Sequence, residues 1–141
     1  GDFMKFLSVV LAGLSLMFVS CSNNESALLG NWKTMGYEKD GVGQPICESE
    51  LIFEKGEGDI FIARGNSGVN SFNGEIQIKG KSYKASENFA STKMMGDETS
   101  MEFENAFLEC LITADYYEVK NDVLIIGSKA NNTFLKFGRN S

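Results

Sequence analysis

Short apolar runs alternating with polar positions dominate this chain, and the period changes once. Glu75-Ile76-Gln77-Ile78-Lys79 alternates strictly, which sets Ile76 and Ile78 on one face of a strand. Leu28 to Tyr37 predicts an opening strand anchored by Trp32. Glu50–Glu54 and Asp59–Arg64 predict a hairpin across Lys55-Gly56-Glu57-Gly58. Asn73-Gly74 has the residue types of a type I′ turn, where both central positions need positive φ, and predicts a turn into the Glu75 strand. Gly80-Lys81 predicts a further turn into Tyr83–Phe89, where Tyr83, Ala85 and Phe89 share a face interrupted by Glu87. Tyr116–Lys120, Val123–Gly127 and Thr133–Phe137 complete the strands, separated by turns at Asn121-Asp122 and Asn131-Asn132. Glu38 to Cys47, with Gly41, Gly43 and Pro45, reads as a loop.

Between the Tyr83 and Tyr116 segments the spacing becomes helical. Thr99-Ser100-Met101-Glu102 has the form of a capping box. Phe103, Ala106, Phe107, Cys110, Leu111 and Ala114 then recur on one face, opposite Glu102, Asn105 and Glu109. The pattern predicts one amphipathic helix near 99–114, packed on a core. The fold class is therefore α+β and mainly β: about eight short strands in an antiparallel barrel or strongly bent sheet, plugged or flanked by the helix.

The first residues do not belong to that pattern. After Met4-Lys5, the stretch Phe6–Val19 is apolar, interrupted only by Ser8, Gly13 and Ser15. That is a signal-peptide length, short of the ~20 residues of a membrane-spanning helix. It ends at Ser20-Cys21, followed by Ser22-Asn23-Asn24-Glu25-Ser26, an arrangement similar to a bacterial lipoprotein box. The expectation is a signal peptide over 1–20, cleavage before Cys21, lipidation of Cys21 and a linker over 21–27. The domain is expected over 28–138, with a tail at 139–141. Gly1-Asp2-Phe3 precede Met4 and do not enter this reading. A plain secretory peptide with an incidental cysteine is the alternative.

Charge narrows the partners. The net charge is −6, and the 13 Lys and Arg residues are scattered rather than clustered. Nucleic-acid binding needs clustered cations, so no nucleic-acid partner is expected. The acidity also opposes adsorption of the whole chain to an anionic membrane.

Candidate chemistry is sparse. The chain has no histidine, which excludes Ser-His-Asp and Cys-His arrangements and removes the commonest zinc ligand. No catalytic residue, cofactor or metal is assigned. Asp97-Glu98 and Glu102/Glu104 are acid/base candidates, but read first as helix N-terminal charge. Glu54, Glu57 and Asp59 lack the spacing of a calcium loop and read as a solvated hairpin tip. Cys47 and Cys110 could pair in an oxidising compartment or stay as buried thiols; Cys110 on the apolar helix face favours the latter. Gly65–Gly74 looks like a phosphate cradle but has no Gly-Lys-Ser/Thr ending and leads into a strand. Gly68 and Gly74 would permit unusual backbone angles, and Asn66 and Asn70 could bond nearby backbone, so a sharp corner is the leading reading. Binding by exposed Asn66 and Ser67 is the second.

Several motifs, in order, resemble the META domain, the HslJ-like family of small bacterial envelope domains. Leu28, Gly30 and Trp32 match its opening pattern. Gly65, Ser67, Gly68, Asn70, Phe72 and Gly74 match its central signature. Thr92 and Met94 match the next motif, and Glu104 with Phe107 the helix motif. Val69 and Gly96 stand where the family often has cysteines. If those cysteines pair in relatives, packing must replace the bond here, with Val69 buried.

The resemblance implies a cracked antiparallel barrel-like sheet with one helix, no established enzymatic activity, and a shape similar to pilot lipoproteins of secretins. The expected function is a non-enzymatic cell-envelope lipoprotein, in the outer membrane facing the periplasm. It would bind a protein partner or apolar ligand in envelope stress or integrity. A pilot-like assembly factor for a secretion channel is the alternative, and a hydrolase using the acidic residues near Asp97 is a third.

Overall fold

The computed structural model describes residues 25–140. Phe6–Val19 and Cys21 lie outside the described residues. A 3-10 turn at Glu25–Leu28 precedes ten strands and one helix. The strands are β1 (Gly30–Lys39), β2 (Val42–Gln44), β3 (Glu50–Lys55), β4 (Ile60–Asn66), β5 (Ser71–Lys79) and β6 (Ser82–Ala85). β7 (Ala90–Ser91), helix α1 (Glu98–Thr113), β8 (Tyr116–Lys120), β9 (Val123–Ser128) and β10 (Thr133–Arg139) follow.

Eight strands close an antiparallel barrel in the order β1-β3-β4-β5-β6-β8-β9-β10, with β10 returning to β1 from Trp32↔Arg139 to Lys39↔Thr133. β2 is an appendage on the end of β1, and β7 pairs with β5. The seam between β6 and β8 is thin, with Ser82↔Tyr116 as its register pair. The Tyr117 hydroxyl donates to the Gly80 carbonyl across it, and Tyr83 Oη donates to the Leu111 carbonyl of α1 at 2.9 Å. The fold is the mainly β α+β class that the pattern predicts, and this seam is its crack.

Alternation sends Trp32, Leu51, Phe53, Phe61, Ile76, Ile78, Leu124, Ile126, Leu135 and Phe137 inward, all essentially inaccessible. Helix α1 adds Phe103, Phe107, Cys110 and Leu111. Phe107 is the plug: its ring meets Phe72 at 5.7 Å, Phe103 at 5.6 Å and Phe137 at 6.1 Å between centroids. Burial of a ring this size is worth about 1.5–3 kcal/mol.

Alternate connections of an antiparallel barrel lie at opposite ends. The β3–β4, β5–β6 and β8–β9 turns share one end with the Glu25–Leu28 turn, whose Glu25 Oε2 accepts from the Gly80 amide at 3.0 Å. Leu28 and Trp32 close this end, tied by Trp32 Nε1 donating to the Leu28 carbonyl at 2.8 Å. Arg139 stacks over the indole at 4.0 Å and donates to the Leu29 and Ala27 carbonyls at 2.6 and 2.9 Å. The β1–β2, β4–β5 and β9–β10 connections and α1 occupy the other end.

Several expectations need correction. Asn73-Gly74 is not a turn but lies within β5, paired with Arg64 and Ala63. The 38–47 segment is not all loop: β1 runs to Lys39, turns at Asp40-Gly41, and returns as β2. The Tyr83 strand ends at Ala85, and the exposed Glu87 marks the departure. Helix α1 starts one residue earlier than expected and its cap is Asp97, not Thr99: Asp97 Oδ1 accepts from the Ser100 amide at 2.7 Å. Asp97 satisfies an orphan amide that Thr99, already inside the first turn, cannot reach.

Candidate functional site

The central motif is a buried polar knot at the helix end of the barrel. Glu104, on the core side of α1, is almost inaccessible. Its Oε1 accepts from Ser67 Oγ at 2.7 Å, Asn70 N at 2.7 Å and Val69 N at 3.3 Å. Its Oε2 accepts from Asn70 Nδ2 at 2.7 Å. Burial works to raise the carboxyl pKa, but these donors, led by the Asn70 side chain, outweigh it and hold the pKa below the ordinary carboxylate value. A buried anion is thus neutralised by dipoles rather than by a cation.

Asn70 carries the knot to a third segment. Its Oδ1 accepts from Met94 N and Thr92 Oγ1, both at 2.7 Å, while Nδ2 also donates to the Met94 carbonyl at 3.2 Å. The motif residues Ser67, Asn70, Thr92 and Met94 therefore meet around one carboxylate. Met94 contributes backbone, and its side chain is exposed.

The corner itself is a turn closed by Ser67 N donating to the Asn70 carbonyl at 2.9 Å. Asn66 Oδ1 accepts from Gly68 N at 2.8 Å, as expected of a side chain bonding local backbone. Gly68 sits at φ +118°, which disfavours any side chain. Gly74 has another reason: a Cβ there would fall 2.2 Å from the Phe89 ring, which stacks beside Phe72. Leu28, Gly30 and Trp32 close the opposite end, Phe72 packs in the core, and Gly65 lies in β4.

Two expectations fail here. Ser67 is buried, its hydroxyl spent on Glu104, so of the proposed binding pair only Asn66 is exposed. Val69 is half-buried rather than buried. It does pack on Gly96, where a Cβ would lie 3.5 Å from the Val69 Cβ and 2.6 Å from its Cγ2. The two positions often occupied by cysteine in the family are in contact.

The members of the knot are far apart in sequence, so no local pattern joins them. One signal was present: Glu104 shares the core spacing of Phe107 and Leu111, so a carboxylate occupies an apolar position. The other acidic candidates are dispersed. Asp97 is engaged by Ser100, and Glu102, two residues from Glu104, is exposed on another side of α1. Glu54 pairs with Arg64 at 3.1 Å, and Asp59 with Lys79 at 3.7 Å. No metal-holding cluster occurs among the described residues. Cys47 and Cys110 are free thiols. Cys110 is buried, and burial foremost raises its pKa to about 11.

Surface concavity lies beside the helix. One cleft, of about 260 Å³, runs between α1 (Thr99, Glu102, Phe103, Ala106) and the Gln44-Pro45-Ile46-Cys47 segment, with Tyr37 and Lys39 below. A second, of about 350 Å³, shares Tyr37, Lys39 and Ala106 and continues past Glu109 and Cys110 to Asn131 and Thr133. They form one trough along the helix. On another flank of α1, Phe89, Leu108 and Ile112 line a shallow groove of about 380 Å³ with Ala90, Ser91 and Lys93.

This barrel, knotted at its corner and plugged by a helix, is that of the META domain family: residues 27–141 match that family, and the chain belongs to it. An NMR structure of a protein from Burkholderia xenovorans is similar at 21% identity and TM-score 0.68, covering 90% of this chain and 95% of that one. A crystal structure of a DUF4847 family protein from Bacteroides vulgatus is similar at 17% identity and TM-score 0.55, covering 80% and 94%. At these identities the likeness is one of fold. No curated protein matches the chain.

Proposed function

We propose that this META domain is a non-enzymatic, Cys21-anchored envelope lipoprotein whose trough receives an extended apolar segment of a protein partner, in envelope stress or integrity. The trough between α1 and the β1–β2 appendage carries this reading. Among the described residues β2 pairs with β1 and with no other strand, so its outer edge can accept an added strand. Beside that edge Val42 is 59% exposed and Ile46 38%, more than packing alone needs. Tyr37, Pro45 and Phe103 supply apolar contact and Gln44 and Glu102 polar fixing points, the mixture of a recognition groove. The anchor reading rests on the apolar run ending at Cys21.

The absence of histidine and the engagement of Asp97 and Glu104 by protein donors support a non-enzymatic role. The Phe89-Leu108-Ile112 groove favours a second reading, a pilot-like assembly factor that docks a channel segment against α1.

A photo-crosslinking residue at Val42, in lipidated protein in its own membranes, tests the first reading, and one at Ile112 the second. The first expects one discrete crosslinked protein from position 42, competed by a synthetic peptide of the crosslinked segment. Crosslinks only from position 112, to an outer-membrane channel, would favour the second. Silence at both positions would sink both.

A further inference from the structure

We infer that the tethered barrel stands on the membrane with its Leu28–Trp32–Arg139 end against the lipid headgroups and its trough pointing away. The inference rests on the Cys21 anchor and adds a surface and a direction to it.

The chain enters the barrel at Glu25, held to Gly80, and the Ala27–Leu29 backbone is clamped by Arg139. Three residues, Ser22-Asn23-Asn24, lie between Cys21 and Glu25, which are therefore four chain steps apart. At about 3.3–3.6 Å per residue, they span at most about 14 Å. A lipid on Cys21 therefore draws this end of the barrel to the headgroup layer, whatever path the linker takes. The trough lies at the opposite end of β1, a ten-residue strand. With barrel strands tilted about 35–45°, that places it about 20–25 Å farther out.

The chain is acidic, but its charges are polarised. Glu38, Asp40, Asp97, Glu98, Glu102 and Glu109 gather around the trough end and outnumber Lys39 and Lys129 there. The tethered end carries Lys55, Lys79, Lys81 and Lys120, all exposed. Lys79 is spent on Asp59, and Arg139 lies 3.9 Å from Asp122, while Glu25, which accepts from the Gly80 amide, and Glu57 are the other acidic turn residues at this end. An anionic headgroup layer attracts the first set of side chains less than the second, over roughly one Debye length. Tether and charge select the same end.

The orientation narrows the ligand. The barrel interior is closed at the membrane-facing end by Leu28, Trp32 and Arg139, and the concavity there is a shallow surface groove of about 340 Å³ on the β8–β9 hairpin, lined by Glu118, Lys120, Asn121, Val123 and Ile125. The trough meets the aqueous side, so its occupant is a segment of a protein rather than a bilayer lipid.

Lipidated protein reconstituted into vesicles containing anionic lipid tests this. In a Cys47→Ser background, a fluorophore is placed at Glu57→Cys on the tethered end or Val42→Cys on the trough end. Headgroup nitroxide lipids then report proximity, and mass spectrometry reports the Cys21 modification. Quenching at position 57 should be at least threefold that at position 42. Charge reversal of Lys55, Lys81 and Lys120 should narrow the ratio on anionic vesicles. Equal or inverted quenching in protein carrying the Cys21 lipid overturns the orientation alone. Unmodified Cys21 in protein that fails to float with vesicles overturns the anchor, and the orientation with it.

Discussion

Glu104 and Asn70 clasp each other twice, the Asn70 amide donating to one carboxylate oxygen and its side chain to the other, both at 2.7 Å. This clasp fixes α1 to the barrel corner. Glu104→Ala takes the acceptor from the buried Asn70 backbone amide and leaves the Ser67 hydroxyl and Asn70 Nδ2 with only their second acceptors, the Asn70 and Met94 carbonyls, an expected loss of about 2–3 kcal/mol. Glu104→Gln keeps one carbonyl acceptor but turns an N–H toward a donor, and should lose about 1–2 kcal/mol. Asn70→Ala should cost less in the Glu104→Ala background than on its own, because the shared bonds are already gone, while its bonds to Met94 and Thr92 are lost in either background. Urea midpoints of the four proteins check this; strictly additive losses would contradict the clasp.

The same carboxylate makes stability depend on acid. Its folded pKa lies below the ordinary value of 4.5, so the native state holds the proton more weakly than the unfolded chain does. The contribution is fully present above 4.5 and drains as pH falls through the lower folded value. Urea unfolding between pH 6 and 3 should show a steeper loss in the wild type than in Glu104→Gln. Parallel curves would mean that the clasp is not titrating.

Val69 and Gly96 offer a cross-link. Their Cβ separation of 3.5 Å, built on the glycine backbone, lies at the edge of the disulfide range. Val69→Cys with Gly96→Cys should oxidise spontaneously and stabilise by about 3.6 kcal/mol, the closure term for a loop of this length. Gly96→Ala alone, pressing on Val69 Cγ2, should destabilise by about 1 kcal/mol. Thiol titration and melting with and without reductant measure both effects.

What was legible in the sequence follows interaction range. Strict alternation around Ile76 and Ile78, and the left-handed Asn121 and Asn132 turns at φ 50°, are local, and the structure has them where expected. Asn73-Gly74 misled because its turn chemistry is also local, whereas the register is imposed from afar. Glu104 closes the chain at Ser67–Asn70, so the reversal is complete before Asn73, which then pairs with Arg64. The glycine there answers to Phe89, a residue on another segment. Asp97 was readable as a cap in principle, but Thr99 offered the same chemistry two residues on.

Gly74→Ala tests that second reason for the glycine. The added methyl would meet the Phe89 ring, which must swing away from its stack on Phe72. The expected loss is about 1–3 kcal/mol, an overpacking penalty. Phe89→Ala should absorb most of it in the double variant, because the clash partner is gone. If alanine at 74 costs the same with or without Phe89, backbone conformation rather than crowding selects the glycine.

The two described thiols should differ sharply in reactivity. Both thiols border the trough, but Cys47 is half-buried while Cys110 is buried, its Sγ turned to the Ile126 carbonyl of β9. Burial foremost raises the Cys110 pKa to about 11, partly offset by the Thr133 hydroxyl bond, so at pH 8 only about one molecule in a thousand carries the thiolate. Iodoacetamide should therefore modify Cys47 first, and Cys110 only as fast as the core opens. Because the neutral Cys110 thiol is the form the fold prefers, its contribution is complete below the ordinary value of 9.0 and is lost as pH rises toward about 11. Peptide mass spectrometry over a time course separates the two rates. Addition of urea below the unfolding midpoint should accelerate Cys110 far more than Cys47. Equal rates in native buffer would show that the helix opens without global unfolding.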